Sequence, residues 1–447
     1  MFSKQSYWVN SGFYSLMERG SFMLFGFGSV FFLLRMLSKD DWGTWALFVT
    51  VSSTIEVARN GLIQNALVKH LASAEKEEHG VITTASFALN LLLTAFSILL
   101  LLGLSGWLSR LWSAPALDVM LKIYTLTTVM LIFLSQLTFI QQANFDFRGN
   151  FWGNFVRQGS WFVFVVTCFL TEKEITLISL SWFQVFAAAL GGFVSYFFGK
   201  KYVAFSSKLS WEWVRKLFHF GKFTLGTNMS TMLYKFVGVW MIGWITKSPA
   251  SAGVFDLANR ISNLLEVPTA TMANIVFPQS AKRAATQGKS AVKYLYEKSV
   301  GIVLAIIIPA VVVIWIFAEQ GVLIVAGNGY AETVPVLKIS LLIGIFIPFS
   351  RQFGTVLDSM GKPKTNLYFV VFSTLLNVVL NFILINQYGL MGAAYGALIT
   401  AVIRLGVNQI ILRKVLDVRF VAPFAYAKDF YVQCFNFGKD RIKKITG

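Results

Sequence analysis

Apolar stretches long enough to cross a bilayer recur along the chain, separated by short breaks rich in charge, Gly, Pro or Ser. Twelve can be drawn, with limits near 8–34, 43–66, 82–107, 117–140, 152–170, 175–198, 223–245, 252–278, 299–318, 339–358, 365–386 and 392–412. A helix rises 1.5 Å per residue, so each covers about 30 Å of hydrocarbon. Within lipid a helix also satisfies its own backbone N–H and C=O groups. The pattern predicts an all-α polytopic membrane protein with about twelve transmembrane helices. The opening MFSKQSYWVNSGFYSL has no short apolar core followed by a small-residue cleavage site, so it reads as the first span and not as a removable leader.

Basic residues give an independent check on that count. With the amino terminus in the cytoplasm, the inner segments carry twenty-six Lys and Arg and the outer segments six. The inner set includes Lys69, Lys76, Lys200, Lys201, Lys208, Arg215, Lys216, Lys222 and eight in the tail from Arg413 to Lys444; the outer six are Arg35, Lys39, Arg110, Lys173, Lys247 and Lys338. One miscounted span would destroy this alternation. An even number of spans with both termini cytoplasmic is therefore expected.

Composition agrees. Of 447 residues 56% are hydrophobic and only 13% charged, against about 25% charged in soluble domains. The formal charge of +18 then reports topology rather than nucleic-acid binding. Cys168 and Cys434 stand in no CxxC frame, and His70, His79 and His219 lack metal-ligand spacing. No GxxxxGK[ST] occurs. No cofactor, metal or nucleotide motor is expected.

The longest inner connection, 199–222, is basic and lies near the midpoint. It divides the chain into an amino-terminal six-helix lobe (1–198), the connection itself, a carboxy-terminal six-helix lobe (223–412) and a basic, aromatic tail (413–447). A shift of 210 residues aligns 43–57 with 253–267, with Gly43/Gly253, Leu47/Leu257, Ser52/Ser262, Glu56/Glu266 and Val57/Val267 identical. Span 2 thus resembles span 8, as a duplicated six-helix unit with parallel repeats requires.

Charges inside spans point to function, because each costs about 2.5–3.5 kcal/mol at the bilayer centre. Span 2 places Ser53, Glu56, Asn60 and Gln64 on one stripe, with Arg59 within reach of Glu56. Span 8 carries Asp256, Asn259, Arg260, Asn263 and Glu266. Span 7 carries Thr224, Asn228, Thr231 and Lys235, and span 1 carries Ser11, Ser15, Glu18 and Arg19. Two lobes facing a water-filled cavity lined by these helices would explain the distribution. Glu56–Arg59 and Asp256–Arg260 are equally readable as internal ion pairs that hold helices together. The surplus of Arg19, Arg59, Lys235 and Arg260 suits an anionic substrate, phosphate above all. The cavity set is therefore Arg19, Arg59, Lys235, Arg260, Glu18, Glu56, Asn60, Asn228, Asp256, Asn263 and Glu266.

The stretch NVVLNFILINQYGLMGAAYGALIT (377–400) resembles the span 11–12 signature of polysaccharide flippases of the multidrug/oligosaccharidyl-lipid/polysaccharide (MOP) transporter superfamily, in Asn377, Asn381, Tyr388, Gly389, Gly392, Ala393 and Ala394. AGNGYAETVPVLKI (326–339) and LDSMGKPKTN (357–366) are similar in the same order. Gly389 and Gly392 read as a tight turn and a close helix approach, hence as scaffold. The resemblance implies a flippase, not an enzyme, that moves a polyprenyl-diphosphate-linked oligosaccharide between leaflets by alternating access, with cavity arginines on the diphosphate. It also implies a multi-pass protein of the bacterial inner membrane, with membrane lipids and other polysaccharide-assembly membrane proteins as partners. Glu18, Glu56, Asp256 and Glu266 are candidates to couple the cycle to H+ or Na+, or to neutralise the empty site. The peptidoglycan-precursor branch has two further spans where this chain has its tail, which favours the exopolysaccharide or O-antigen branch, with the tail at the interface.

Three other functions compete. The multidrug and toxin extrusion (MATE) branch shares the architecture but expels mainly organic cations, which a cationic cavity suits poorly. A membrane glycosyltransferase or polymerase would need a catalytic carboxylate such as Asp40 or Asp41, which also read as a solvated span end. A non-transporting scaffold would leave the polar stripes without purpose.

Overall fold

The computed structural model describes residues 4–446, and among them there are helices and no strand. Eight helices are long and apolar enough to cross a membrane. Among them are α1 (Lys4–Met36), α3 (Lys76–Leu111), α4 (Pro115–Ala143) and α6 (Leu177–Gly199). The set continues with α10 (Lys289–Ile316), α12 (Thr333–Ser359), α13 (Pro363–Tyr388) and α14 (Leu390–Leu416). Four further predicted spans correspond to α2 (Lys39–Ser73), α5 (Arg148–Leu170), α7 (Trp211–Thr246) and the pair α8 (Pro249–Ser262) and α9 (Glu266–Thr286). These four are the more polar ones, because they carry internal ions and amides. Leu99, Leu170, Ile324 and Leu375 are each more than 60% exposed, an outcome that only lipid makes favourable. The protein is a multi-pass membrane protein.

Helix starts follow from local chemistry. Ser38 caps α2 by accepting from the Asp41 N–H, with Asp40 and Asp41 in the first turn against the helix dipole. The Ser38 hydroxyl also donates to the Asp41 carboxylate at 2.7 Å, so Asp41 serves the cap. Ser248, 210 residues later, accepts from the Ser251 N–H at the start of α8, in register with the aligned repeat. Thr176 and Ser179 form a capping box on α6.

Predicted span 8 is not one continuous α-helix. It breaks into a 3-10 turn at Asn263–Leu265 between α8 and α9. Pro268 follows the break; it has no N–H for the Leu264 carbonyl, and its ring crowds that turn. A short helix, α11 (Ala318–Ala326), intervenes before α12. The tail forms α15 (Ala422–Thr446). It packs along α10: Tyr431 donates to the Ala305 carbonyl, and the Arg419 N–H donates to buried Glu297 at 2.9 Å.

Packing separates two compact units. One comprises Met1–Phe236 with Lys247–Gly253, the other Val237–Thr246 with Val254–Gly447, so the division falls inside α7 and not in the 199–222 connection. In the first unit α4 packs on α6, α3 and α2, while α5 packs on α6 and α1. Leu62, Ile63 and Leu67 of α2 meet Ile82 of α3, Ile140 of α4 and Leu217 of α7 in one core. In the second unit α10 and α12 form the centre, with α9, α14 and α15 against them and α13 on α14. Tyr296, Phe349, Phe353 and Leu412 fill that core.

The 377–400 signature is scaffold. Asn377 donates to Thr400 at 3.2 Å and Asn381 to Asn377 at 2.8 Å, tying α13 to α14. Gly389 takes φ +54 at the turn. A Cβ on Gly392 would lie 2.0 Å from the Leu384 carbonyl oxygen. In LDSMGKPKTN, Asn366 donates to both Asp358 oxygens at 3.1 and 3.0 Å, closing the α12–α13 turn.

The α4–α5 loop fastens the basic connection. Asp146 accepts from Arg148 at 3.0 and 2.8 Å and from the Tyr202 hydroxyl at 3.0 Å, with Lys201 at 3.3 Å. Burial works against its charge, yet the Arg148 side chain and N–H and the Tyr202 hydroxyl outweigh it and hold the carboxyl well below the usual range. Its stabilisation is therefore complete above the ordinary value of 3.8 and is lost only as pH falls through its own lower one.

Two outcomes follow. Gly392→Ala should lower the melting temperature by several degrees, an overpacking cost of about 1–3 kcal/mol. Gly406→Ala, in the same helix with nothing within 4 Å, should be neutral or raise it. Asp146→Asn should reduce hydrogen-exchange protection across 200–208, whereas the wild-type protection factors should stay level between pH 7 and pH 5.

Candidate functional site

The first unit brings three of the polar stripes to a common wall. Glu18 of α1 accepts from Asn150 and Asn154 of α5, each at 2.9 Å. One further turn along α5, Arg157 lies 3.8 Å from Glu56 of α2. Gln64 of α2 donates to Gln142 of α4 at 3.2 Å. Asn228 of α7 packs its amide against Gly61, where a Cβ would come within 2.5 Å of it. Asn60 is half-buried, and its carbonyl oxygen has no partner among the described residues. The wall is a ladder of amides and carboxylates with Arg157 between two acids.

Arg59 does not join that wall. It is 3% exposed and points into the unit, donating to the Thr94 hydroxyl of α3 at 3.3 Å and the Thr128 carbonyl of α4 at 2.7 Å. The expected Glu56–Arg59 pair is replaced by Glu56–Arg157: the two positions sit about 60° apart round the helix, and packing turns Arg59 toward α3 and α4 while Glu56 faces α5. Thr94 and Thr128 belong to a buried polar seam between α3 and α4 that continues through Asn90–Ser135 and Ser86–Gln136. Arg59 thus locks α2 onto that seam.

The remaining cations differ in setting. Arg19 and Lys235 are exposed on α1 and α7, and among the described residues neither forms an ion pair with a carboxylate. In the second unit Arg260 pairs with Asp256 one turn earlier at 2.5 Å, and Asp256 is almost fully buried. The pair lies within one helix, and Arg260 itself keeps 28% of its side chain exposed. Asn263 lies in the 3-10 turn, and Glu266, exposed, opens α9. Elsewhere within spans, Lys122 pairs with Asp118 at 2.8 Å, and Arg404 lies over the Phe369 ring.

Asn150, Asn154 and Arg157 escaped the sequence analysis. They fall at i, i+4 and i+7, the same stripe rule that singled out α2. Arg157 is one of the twenty-six basic residues that the sequence assigns to inner segments, an assignment that hides its place inside a helix. Among the described residues no group of His, Cys, Asp and Glu is placed to hold a metal ion.

Comparison with known proteins gives the following. Residues 32–335 match the family described as polysaccharide biosynthesis protein. Over 213 residues the chain is 23% identical to a probable low-salt glycan biosynthesis flippase, Agl15, of Haloferax volcanii, covering 48% of this chain and 45% of that protein. The chain thus spans about half the length of this curated relative. Its fold is similar to that of an inward-facing MATE transporter of the MOP superfamily, with a TM-score of 0.77 at 16% identity over 88% of this chain and 94% of that one. It is likewise similar to the lipid II flippase MurJ in an inward closed conformation, with a TM-score of 0.75 at 13% identity over 95% and 91%. The two solved structures establish the fold, which is that of MOP-superfamily transporters. The family match takes in more than half of the chain, from the end of α1 to the start of α12, and so the chain belongs to the polysaccharide biosynthesis protein family.

Proposed function

We propose that this protein is a flippase that carries a polyprenyl-diphosphate-linked oligosaccharide across the plasma membrane by alternating access, for assembly of a cell-surface polysaccharide. The observation that carries the proposal is the arrangement of ions in a chain of this family. The acids of the α1–α2 wall, Glu18 and Glu56, are already met by Asn150, Asn154 and Arg157. Arg19 and Lys235 remain exposed at span level. Excess cation in a membrane helix is costly unless an anion meets it, and a diphosphate does so through charge-assisted hydrogen bonds.

Arg19 and Lys235 in the first unit and Arg260 in the second are the proposed diphosphate-binding cations, each presented by its own unit. Asn60, Asn228 and Asn263 offer neutral hydrogen bonds for sugar hydroxyls. Arg59 acts as a positioning residue through the α3–α4 seam. The bias of basic residues supports a cytoplasmic position for both termini. An exporter of organic cations gains nothing from exposed Arg19 and Lys235, which favours the flippase over the MATE-type alternative that shares the fold.

The test is leaflet exchange of a fluorescent lipid-linked oligosaccharide in liposomes holding the purified protein. Arg19→Ala, Lys235→Ala and Arg260→Ala should each slow exchange by about tenfold or more, the loss of one hydrogen bond to a charged group. Arg59→Ala should lower the melting temperature before it changes exchange per folded molecule. Wild-type exchange with all three cation variants unchanged would overturn the cationic site. No wild-type exchange, despite binding of the lipid-linked sugar, would overturn the flippase.

A further inference from the structure

Helix α7 has 36 residues and is therefore about 54 Å long, far more than the hydrocarbon needs. Its first three turns are amphipathic in an unusual sense. One face, Val214, Leu217 and Gly221, is buried against α2; a Cβ on Gly221 would lie 1.8 Å from the Leu62 carbonyl oxygen. A second stripe, about 100° round the helix, is Trp211, Arg215, Phe218 and Lys222, at i, i+4, i+7 and i+11, and all four are exposed. Aromatic and cation alternate along it. The connection that leads into α7 repeats the composition with exposed Phe205, Lys208 and Leu209.

This surface is held in place. The Ser206 N–H donates to Thr84 at 2.9 Å and the Thr84 hydroxyl to the Ser206 carbonyl at 3.3 Å. Phe205 meets Phe87 edge-on. Trp213 and Phe220 close on His70, with Lys69 over the Phe220 ring. The exposed aromatics cannot turn inward, because the inner side of the helix is already filled.

Rings standing among Lys and Arg at the end of a membrane helix match the two layers of a bilayer boundary. The rings sit at headgroup depth, and the cations meet phosphate. We infer that the Trp211–Arg215–Phe218–Lys222 stripe, with Lys208, is a docking surface for the phosphate headgroups of anionic phospholipids. Charge complementarity selects this occupant: Glu212 is the one acidic residue between 199 and 222, and Lys216 meets it at 2.6 Å. Lys222 also lies 3.3 Å from His219. The surface goes beyond the transport proposal and does not depend on it.

The experiment uses the full chain in bilayers of phosphatidylcholine containing spin-labelled phosphatidylglycerol or spin-labelled phosphatidylcholine, and reads the immobilised fraction of each. Wild type should prefer phosphatidylglycerol. Arg215→Gln with Lys222→Gln should reduce that preference by about fivefold per cation removed, while Arg215→Lys with Lys222→Arg should keep it. Equal preference in the wild type and the Gln variant, both monodisperse, would overturn the inference. Displacement of the label by trace lipid-linked diphosphate sugar, but not by excess unlabelled phosphatidylglycerol, would overturn it in favour of the carrier lipid.

Discussion

Hydrocarbon provides no hydrogen bonds, so a polar atom carried into it must find its partner on another part of the protein. In this chain that rule shapes both units. Arg59 reaches two neighbouring helices, the α3–α4 seam pairs Ser, Asn, Thr and Gln across one contact, and Asn377, Asn381 and Thr400 tie α13 to α14. Each such pair removes a cost of several kcal/mol per unmet group. It also sets which faces of two helices can meet.

The same rule separates scaffold from site. Where a polar residue has found its partner deep inside a unit, as at Arg59 or Asn377, it holds helices together. Where it is half-buried and met by another helix along one edge, as at Glu18 and Glu56, part of its surface stays accessible. Arg157 stands between these cases, close to Glu56 with 22% of its side chain exposed. The signature residues at 377–400 and 357–366, which carry the strongest resemblance to transporters of this type, fall on the scaffold side. They therefore mark a lineage through its turns and close helix contacts.

Length is the second constraint. Helices α2, α3 and α7 exceed what the bilayer core requires, and their ends carry different chemistry from their middles. Asp146, Arg148, Lys201 and Tyr202 form a compact ionic clasp outside the spans, where the buried carboxylate is met by two half-exposed cations and a hydroxyl. The first turns of α7 instead present rings and cations together, which suits neither water nor hydrocarbon alone.

The sequence by itself determined the solvent, the helical class, the approximate span limits and the presence of ions inside spans, because these follow from local composition and from period along one helix. It also carried the turn chemistry of Gly389. The rotation of each helix about its axis was decided only by the tertiary structure. Glu56 and Arg59 look like partners three residues apart, yet packing directs one to Arg157 and the other to Thr94 and Thr128. The break at Asn263–Leu265, the packing of α15 on α10 and the role of Asn150, Asn154 and Arg157 were likewise decided there. In each case the outcome depends on which neighbour stands opposite, and a helical period does not specify the neighbour.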